Sequence, residues 1–355
     1  MESIDKIMTA AVSDGIFPGA VLLASRRNEV LYHKAFGYAN IYQKRSVTIQ
    51  TVFDLASLTK PLATTLAVIK LIAASRLSLQ DALGRLLPEL KASPMAHITV
   101  EHLLAHQSGL PDYRPFYQFL QHMPLDERKD ALNRCLCETS LIYPIGEETV
   151  YSDLGFMMLR WVVERTTNRR LDHFVQEEIY KPLGLKNLFF VDSKMPVKTK
   201  AFAATETCAW RNVLVEGVVH DENAFVVGGM DGHAGLFGTA EHVHELLCEI
   251  QLLYYGTVSR KVLKKEIIQE FLNFGKKTGR ALGFDRPSKE HSSSGRHFSN
   301  NSVGHLGFTG VSSWMDLDRS IIIILLTNRI HPTRENEKIK IFRPVLHDAV
   351  MKCLI

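Results

Sequence analysis

The chain has 355 residues, which is too long for one small core and fits one large domain or two intertwined domains. Hydrophobic residues make up 46% and charged residues 23%, the balance of an ordinary soluble globular protein. The net charge is +4 with acids and bases mixed along the chain, so nothing indicates a nucleic-acid partner.

The cysteines and the N-terminus bear on the compartment. Five cysteines, an odd number without a metal-type CxxC pair, predict reduced thiols in a reducing compartment. Glu2 and Asp5 precede any apolar stretch, which is not typical of a signal peptide. The apolar residues 17–24 are too few to span a membrane. We therefore expect a cytoplasmic protein without a membrane span, and the oligomeric state stays open.

The residue pattern first predicts a helix at residues 1–14 and two strands at 20–25 and 30–36. A helical middle follows, with helices at 61–74, from 78 onward, at 98–105, 125–137, 153–165, 171–185 and 240–254. The chain then has predicted strands at 304–308, 311–316 and 320–327, and a closing helix at 342–351. The last strand contains Ile321-Ile-Ile-Ile-Leu-Leu326, a continuous apolar run that suits a buried central strand. Residues 287–301 are rich in Ser, His and Asn without an apolar period, so we expect an exposed loop there.

Two strands near the N-terminus and three near the C-terminus suggest one antiparallel, five-stranded sheet built from both ends of the chain. Helices would flank this sheet in an α/β (α+β) fold. We expect residues 1–75 and 223–355 to form the sheet domain and residues 76–222 to form an inserted, mostly helical lobe. Sites usually lie in a cleft between such lobes, so the active site is expected there.

Ser57 and Lys60 lie three residues apart, immediately before the apolar residues 61–74. If that run is helical, positions i and i+3 share a face, so the Lys60 amine can reach the Ser57 hydroxyl and accept its proton. Backbone N–H groups at a helix N-terminus also point toward developing negative charge. The pair is a candidate nucleophile and base, although most Ser-x-x-Lys matches are solvated helix surface.

Tyr151 stands two residues before Asp153, at the entry of the predicted apolar helix. A tyrosine hydroxyl there is a candidate proton shuttle if a nearby ammonium lowers its pKa. The alternative is structural: Tyr151 is a half-buried aromatic residue, and Asp153 is the N-cap of the helix. The residues by themselves leave both interpretations open.

His305, Gly307 and Phe308 form a third candidate element on a predicted strand. Glycine at 307 would let a substrate backbone approach closely, and the Phe308 N–H would complete an oxyanion hole with the N–H of Ser57. The alternative is a buried strand histidine followed by a glycine bend, and both interpretations stay open.

Three other kinds of site are less well supported. His102 and His106 have the i, i+4 spacing of a metal pair, but no acidic ligand and no HExxH accompany them, so we predict no metal. The glycine-rich residues 228–238 lack the GK[ST] of a P-loop, and we expect a wall of the cleft there, with His233 as a candidate lining residue. No GxSxG is present, which excludes the α/β-hydrolase elbow.

In order along the chain, Ser57-x-x-Lys60, Tyr151-x-Asp153 and His305-x-Gly307 resemble the three motifs of the serine β-lactamase and penicillin-binding-protein superfamily. The likeness extends from residue 8 to residue 350. It is greatest to the class C branch, which holds class C β-lactamases, D-amino-acid peptidases and β-lactamase-like esterases, and the strings at residues 98–110, 235–240 and 304–310 support it. Residues 326–334 resemble a bacterial subgroup that includes muropeptide-recycling amidases.

The resemblance implies a β-lactamase-like fold and a serine hydrolase that forms an acyl-enzyme without a metal or cofactor. The implied catalytic residues are Ser57, Lys60 and Tyr151, and the implied substrate-binding residues are Asp153, His305, Gly307 and Phe308. Two positions depart from the pattern. Asp153 stands where many members have Asn, and His305-Leu306 replaces a Lys-Thr that helps to bind the β-lactam carboxylate, so efficient β-lactam hydrolysis is in doubt.

Three functions remain open. The first is hydrolysis of an amide or ester bond in a small cell-wall peptide such as a muropeptide. The second is carboxylesterase activity on small acyl esters, or weak β-lactamase activity. The third is a non-catalytic, ligand-binding or self-associating relative, against which the intact Ser57, Lys60 and Tyr151 argue. The loops at residues 111–125 and 287–301 are expected to select the acyl group.

Overall fold

One antiparallel sheet of eight strands forms the framework of the molecule. The computed structural model describes residues 2–193, 201–257, 260, 262–275, 279–288 and 290–355. The strands β1–β13 cover, in chain order, Gly19–Arg26, Glu29–Asn40, Arg45–Ser46, Phe53–Asp54, Leu188–Phe190, Thr207–Cys208, Val213–Leu214, Leu236–Gly238, Arg280–Ala281, Phe284–Asp285, Ser302–Leu306, Ser312–Asp316 and Ile321–Thr327. The strand order of the large sheet is β3-β2-β1-β13-β12-β11-β10-β9.

Helices pack on both faces of this sheet. The helices α1–α12 cover, in chain order, Glu2–Ser13, Thr65–Ala73, Leu83–Leu86, Val100–Leu104, Tyr117–Leu120, Arg128–Cys137, Asp153–Thr167, Leu171–Val175, Glu222–Val226, Ala240–Tyr255, Lys265–Asn273 and Ile339–Leu354. Short 3-10 turns lie at Ala56–Leu58, Pro88–Leu90 and Pro94–His97, and π-helical turns lie at Lys60–Thr64 and Gln176–Tyr180.

The five predicted strands form the continuous centre of the sheet, in the order β2-β1-β13-β12-β11. The predicted joining of the two chain ends is therefore present, but the predicted number of strands is wrong. The three additional strands are β3 at one edge and β9 and β10 at the other, and each has only two residues. A two-residue strand is too short to show the alternation by which strands are recognised in a sequence.

Strand β13 lies at the centre of the sheet, paired with β1 on one side and β12 on the other. All seven of its residues are buried. Alternate side chains serve opposite faces, because successive residues of a strand point in opposite directions. Ile322 packs into the larger core with residues of α2, α7 and α10, whereas Ile323 packs into a second core with residues of α1 and α12. Burial on both faces explains the continuous apolar run.

A small sheet connects the middle of the chain to its ends. Strand β8 pairs with β4, which leads into the turn of Ser57, and also with β5 from the predicted helical lobe. The segment that carries Ser57 is thus held on one side by residues 236–238. The proposed division into residues 1–75 with 223–355 and residues 76–222 stays a prediction.

Two local predictions need correction. No helix begins at Ser78, because its N–H donates to Oδ2 of Asp81 at 2.9 Å in a turn, and α3 starts only at Leu83. The segment at residues 171–185, by contrast, is helical to Tyr180 and ends in the turn predicted from its Pro-Leu-Gly sequence. Residues 287–301 contain no helix or strand in their described part, but Ser294 and Phe298 are buried, so that loop is not exposed throughout.

Among the described residues, one helical stretch, Ala56–Ala73, is long and apolar enough to cross a membrane. However, 78% of it is buried inside the structure. Its apolar composition is explained by packing in the larger core, where α2 meets α7 and α8.

The two glycines Gly232 and Gly155 offer a test of this packing. A Cβ atom at Gly232 would lie 2.0 Å from the carbonyl oxygen of Phe156, which as backbone cannot move aside. We expect Gly232→Ala to lower the free energy of unfolding by about 1–3 kcal/mol, as overpacking does. A Cβ atom at Gly155, inside α7, would make only ordinary contacts at 3.7 Å. Gly155→Ala should therefore raise the free energy of unfolding by about 0.5–1 kcal/mol. Urea unfolding measures both, and effects of the same sign would contradict the packing described.

Candidate active site

The candidate nucleophile lies where the helical geometry changes. Ser57 is in the 3-10 turn Ala56–Leu58, and the π-helical turn Lys60–Thr64 follows before α2 begins. In this continuous run the Lys60 side chain reaches back, and its Nζ lies 3.0 Å from the Ser57 Oγ. The structure therefore brings the predicted i, i+3 pair into contact.

The Lys60 ammonium is fully buried among polar groups, Tyr151 among them. Besides Ser57, it contacts Oδ1 of Asp153 at 2.7 Å and donates to the carbonyl oxygen of His233 at 3.2 Å. Burial by itself lowers the pKa of this amine, but Asp153 and Tyr151 together raise the pKa above its ordinary value. Lys60 is therefore an ammonium at neutral pH in the free protein.

Tyr151 lies beside this pair. Its ring centroid is 4.9 Å from the Lys60 Nζ and 5.5 Å from the guanidinium carbon of Arg280. Burial raises the pKa of Tyr151, and Asp153 adds to the rise, while Lys60 and Ser57 act against it. The Lys60 ammonium does lower the pKa of Tyr151, but burial outweighs it and the net pKa is raised, so the condition set for a proton shuttle is not met. Tyr151 is a phenol that holds its proton.

A buried histidine keeps Tyr151 in position. The rings of His106 and Tyr151 stack with their centroids 4.7 Å apart, and Nδ1 of His106 accepts the N–H of Ser152 at 2.9 Å. Burial holds the pKa of His106 well below its usual range, so the ring is neutral and its Nδ1 is free to accept. His106 has a φ of 57° and lies beyond the end of α4, which removes the helical i, i+4 geometry of the metal pair with His102.

The N-cap of α7 is Ser152, whose side chain accepts the N–H of Gly155 at 3.2 Å. Of the structural alternative, the assignment of Asp153 as the cap is therefore wrong, whereas the half-buried position of Tyr151 is confirmed. Asp153 is the first helical residue, and its carboxylate is left to meet Lys60.

His305 is buried on β11, with its ring centroid 5.8 Å from that of Tyr151. Its Nδ1 lies 2.7 Å from the Leu306 carbonyl oxygen, and no hydrogen-bond partner of its Nε2 is found among the described residues. Burial lowers the pKa of His305, and Lys60 and Arg280 lower it further, so the ring is neutral. An uncharged imidazole therefore occupies the position at which the family pattern has lysine.

Gly307 lines the cleft and also lets two backbone segments pack closely, and its predicted approach to a substrate backbone stays a prediction. A Cβ atom there would lie 2.4 Å from Cγ2 of Val311 and 2.8 Å from the carbonyl oxygen of Leu55. Only glycine lets β11 end so close to the turn of Ser57. This approach is compatible with the predicted oxyanion donors, the N–H groups of Ser57 and Phe308, whose role stays a prediction.

The Phe308 side chain is about half exposed at the mouth of the cleft. Its ring stacks on that of His220, with 5.6 Å between centroids and 18° between planes. The guanidinium carbon of Arg329 lies 4.8 Å from the same ring, and Nη2 of Arg329 donates to the Phe308 carbonyl oxygen at 2.7 Å. These contacts fix Phe308 as a rigid wall of the cleft.

Ser57 opens onto a cleft of ≈ 670 Å³, a volume in the range of small-molecule sites. Residues from both predicted lobes line this cleft. On one side lie Tyr113 and Asp153, and on the other lie Phe308 and Arg343. His233, predicted as a lining residue, is buried behind the wall, and its neighbour Ala234 lines the cleft instead.

Three groups beside Ser57 could supply metal ligands: atoms of Asp153, Asp221 and His233 lie within 4.8 Å of one another. Positive charge is already present there. The Lys60 ammonium contacts Asp153, and His233 Nε2 bonds to Asp221 Oδ1 at 3.0 Å. Burial opposes ionisation of His233, yet Asp221 raises the pKa of that imidazole above its ordinary value. Asp153 and Asp221, the two carboxylates of this cluster, are therefore already paired with Lys60 and His233.

Several residues of the site have no signal in the sequence motifs: His106, Asp221, Arg280 and the carbonyl group of His233. The contact of His233 with Lys60 joins positions 173 residues apart. Arg280 belongs to the two-residue strand β9. Only the glycine-rich composition around His233 and the His106 near a predicted helix end were visible beforehand.

Comparison with known proteins agrees with this geometry. Residues 4–344 match the family described as Beta-lactamase. The chain is 31% identical over 363 residues to "N-acetylmuramyl-L-alanine amidase" of Bacillus subtilis (strain 168), covering 93% of this chain and 81% of the relative. It is 29% identical over 368 residues to "Putative D-alanyl-D-alanine carboxypeptidase" of Escherichia coli (strain K12), covering 95% and 84%.

Solved structures confirm the predicted fold class. EstCE1, described as a hydrolase with promiscuous acyltransferase activity, superimposes with a TM-score of 0.75 at 22% identity, over 97% of this chain and 98% of that one. Unliganded simvastatin synthase (LovD) from Aspergillus terreus gives 0.74 at 18% identity, over 99% and 98%. With the family match spanning nearly the whole chain, these results show that the protein belongs to the Beta-lactamase family and is a serine hydrolase.

Proposed function

We propose that this protein is an amidase that cleaves an amide bond beside alanine in a small cell-wall peptide, through an acyl-enzyme on Ser57. The observation that carries the proposal is the contact of the Ser57 Oγ with the buried Lys60 Nζ, at 3.0 Å on the floor of the cleft. Two relatives support an amide bond over an ester bond as the one that is cleaved: one is named an amidase and the other a carboxypeptidase, and alanine is part of both names.

The resting protonation state determines how Ser57 is activated. Lys60 is an ammonium and Tyr151 a phenol, because the pKa of each is raised. Neither can accept a proton as it stands. The Asp153 carboxylate, 2.7 Å from the Lys60 Nζ, is the acceptor within reach. Transfer of one proton from Lys60 to Asp153 leaves a neutral amine 3.0 Å from the Ser57 Oγ.

Acylation then follows in balanced steps. The Ser57 oxygen attacks the carbonyl carbon of the substrate while its proton passes to the Lys60 amine. The N–H groups of Ser57 and Phe308 are the proposed donors to the oxyanion. As the tetrahedral intermediate collapses, the C–N bond breaks, and the leaving nitrogen receives a proton from Lys60, directly or through the Tyr151 hydroxyl. Water then attacks the acyl-enzyme and gives its proton to Lys60, which returns a proton to the Ser57 oxygen as the acyl group leaves. Return of the proton held by Asp153 to Lys60 restores the resting state.

The cleft wall offers groups that would orient the substrate. The Nε2 of His305, without a partner among the described residues, would hydrogen-bond a substrate group beside Tyr151. The ring of Phe308, held by His220 and Arg329, would limit the size of the acyl group. Tyr113, from the loop predicted to select the acyl group, lines the opposite side.

Ser57→Ala should abolish hydrolysis of N-acetylmuramyl-L-alanine and the formation of an acyl adduct, because it removes the proposed nucleophile, whose Oγ contacts the Lys60 Nζ. The assay is mass spectrometry of the released alanine and of the intact protein. A D-alanyl-D-alanine peptide, a p-nitrophenyl ester and a penicillin are run in parallel. Ser13→Ala, on the exposed surface of α1, is the matched control and should leave activity unchanged.

The outcomes separate the candidate functions. Release of alanine from the muramyl substrate by the wild type but not by Ser57→Ala supports the amidase. Turnover of the ester alone would replace the proposal by a carboxylesterase, and cleavage of the D-alanyl peptide alone by a carboxypeptidase. No adduct with any reagent would indicate a non-catalytic relative.

Asp153→Asn should lower the pKa of Lys60, because it removes the main group that opposes the effect of burial. The folded-state pKa is raised, so the pair stabilises the fold below the unfolded lysine pKa, and this contribution is lost as the pH rises through the folded pKa. We expect the pKa to fall below the ordinary value of about 10.4. Breaking the pair should also destabilise the fold at neutral pH, by up to about 3–5 kcal/mol.

The pKa is measured by NMR titration of the labelled lysine side chain, and stability by urea unfolding. Asp285→Asn is the matched control, because Asp285 also lines the cleft but pairs with Arg280 at 2.6 Å rather than with Lys60. An unchanged Lys60 titration in Asp153→Asn would show that the carboxylate does not control the amine.

A further inference from the structure

The residue before Ser57 has a conformation that L-amino acids rarely adopt. Ala56 has a φ of 46°, in the left-handed region that favours glycine. Such a position persists only where its surroundings hold it, and it is typical of functional sites. The question is therefore which contact holds Ala56, since that contact also determines where the Ser57 hydroxyl points.

The side chain of Asp54 supplies this contact. Asp54 ends strand β4 and is 2% exposed. One carboxylate oxygen accepts the N–H of Ala56 at 2.9 Å, and the other accepts the N–H of His220 at 2.7 Å. Its backbone carbonyl oxygen accepts the hydroxyl of Thr309 at 2.8 Å.

These three partners belong to three different walls of the cleft. Ala56 leads directly into the Ser57 turn. His220 stacks on Phe308 and precedes Asp221, the partner of His233. Thr309 follows Phe308 in the turn that ends β11. Asp54, through its carboxylate and its backbone carbonyl, thus connects the turn of the nucleophile, the Asp221–His233 pair and the proposed oxyanion donor.

We infer that Asp54, as a carboxylate, is a positioning residue that holds the Ser57 turn in its reactive geometry. The inference rests on the proposed role of Ser57 as nucleophile. It does not give Asp54 contact with the substrate, because Asp54 is not among the residues that line the cleft.

The ionised form is the form that fits. A carboxylate offers two acceptor oxygens, and both face N–H groups. A protonated carboxyl carries one O–H donor, so one of the two N–H groups, of Ala56 or His220, loses its acceptor. We call this pair of hydrogen bonds to Asp54 the clamp, and protonation opens it on one side. The turn of Ser57 should therefore loosen as Asp54 takes up a proton, and acylation should slow.

The charged groups around Asp54 set the pH at which this happens. His220 favours the ionised form and Asp221 opposes it, while the guanidinium of Arg211 donates to the carbonyl oxygens of Val219 and His220 on the same side. Burial raises the pKa of Asp54 above its ordinary value, despite the two N–H bonds that lower it. In the pH profile of kcat/KM, the loss of activity caused by protonation of Asp54 is therefore expected at a pH above the usual range of carboxyl groups.

Asp54→Asn provides the test, because asparagine has one acceptor and one NH₂ donor at every pH and so imitates the protonated form. Kinetics with an activated ester should show kcat/KM reduced about 10²-fold, the size of effect that small misplacement of a catalytic group produces. The acid limb assigned to Asp54 should also be absent from the pH profile. The profile is the decisive readout, because a purely structural role would not remove a limb.

Two further variants separate positioning from folding. In Ala56→Gly the left-handed conformation needs no clamp, so Asp54→Asn combined with Ala56→Gly should fold even if Asp54→Asn does not. Asp316→Asn is the matched control: Asp316 is also buried and accepts several hydrogen bonds, but its partners Ser299 and Arg319 are not among the residues that line the cleft, unlike Ala56 and His220. It should lower the melting temperature and leave kcat/KM unchanged.

The results distinguish failure of this inference from failure of the proposed function. Wild-type kcat/KM with an unaltered acid limb in folded Asp54→Asn overturns the inference while the function stands. If the wild type forms no Ser57 adduct, the function fails, and NMR of nitrogen-15-labelled alanine still tests the clamp. In that experiment the chemical shift of the Ala56 amide should change with pH as Asp54 takes up its proton in the wild type, and should not do so in Asp54→Asn. A shift that is independent of pH in both proteins overturns the inference.

Discussion

The active site depends on one buried ammonium. Lys60 is fully enclosed, and an isolated ion in such a place would cost several kcal/mol. Three parts of the chain compensate this cost: the Ser57 hydroxyl from the same helical run, the Asp153 carboxylate from the start of α7, and the His233 carbonyl from the glycine-rich segment. Because each must lie within about 3 Å of one atom, the position of Lys60 fixes the relative position of all three.

Contacts farther from Lys60 hold the same parts of the chain in place. The hydroxyl of Thr64, one turn after Lys60, donates to the Gly232 carbonyl at 2.6 Å. The buried Arg160 of α7 pairs with Asp231 at 3.2 Å. The helix of the lysine and the helix of its carboxylate thus hold the same glycine-rich segment from two sides, which places the His233 carbonyl between them. A site built on helices held in this way is more precise than one carried by loops alone.

How much of this could be predicted from the sequence follows from the separation of the contacts. Ser57 and Lys60 meet through local helical geometry, so their spacing was sufficient. The central strands were predictable because the alternation and the run at 321–326 are long. Nothing local indicates that the His233 carbonyl or the ring of His106 would reach the same place, since those contacts arise from tertiary packing. The net rise in the pKa of Tyr151 could not be predicted, because the extent of its burial is set by tertiary packing.

Two departures from the family pattern, Asp153 for Asn and His305 for Lys, together change the charge of the site. In the family pattern, the lysines at positions 60 and 305 lie beside a neutral Asn at position 153 and carry two positive charges. Here the Lys60 ammonium is balanced by Asp153, and His305 is neutral because burial lowers its pKa, so the three groups sum to zero. A neutral centre attracts an anionic substrate less strongly than a doubly positive one. In the proposed mechanism, Asp153 also accepts the Lys60 proton, a role that the neutral amide of asparagine does not fill.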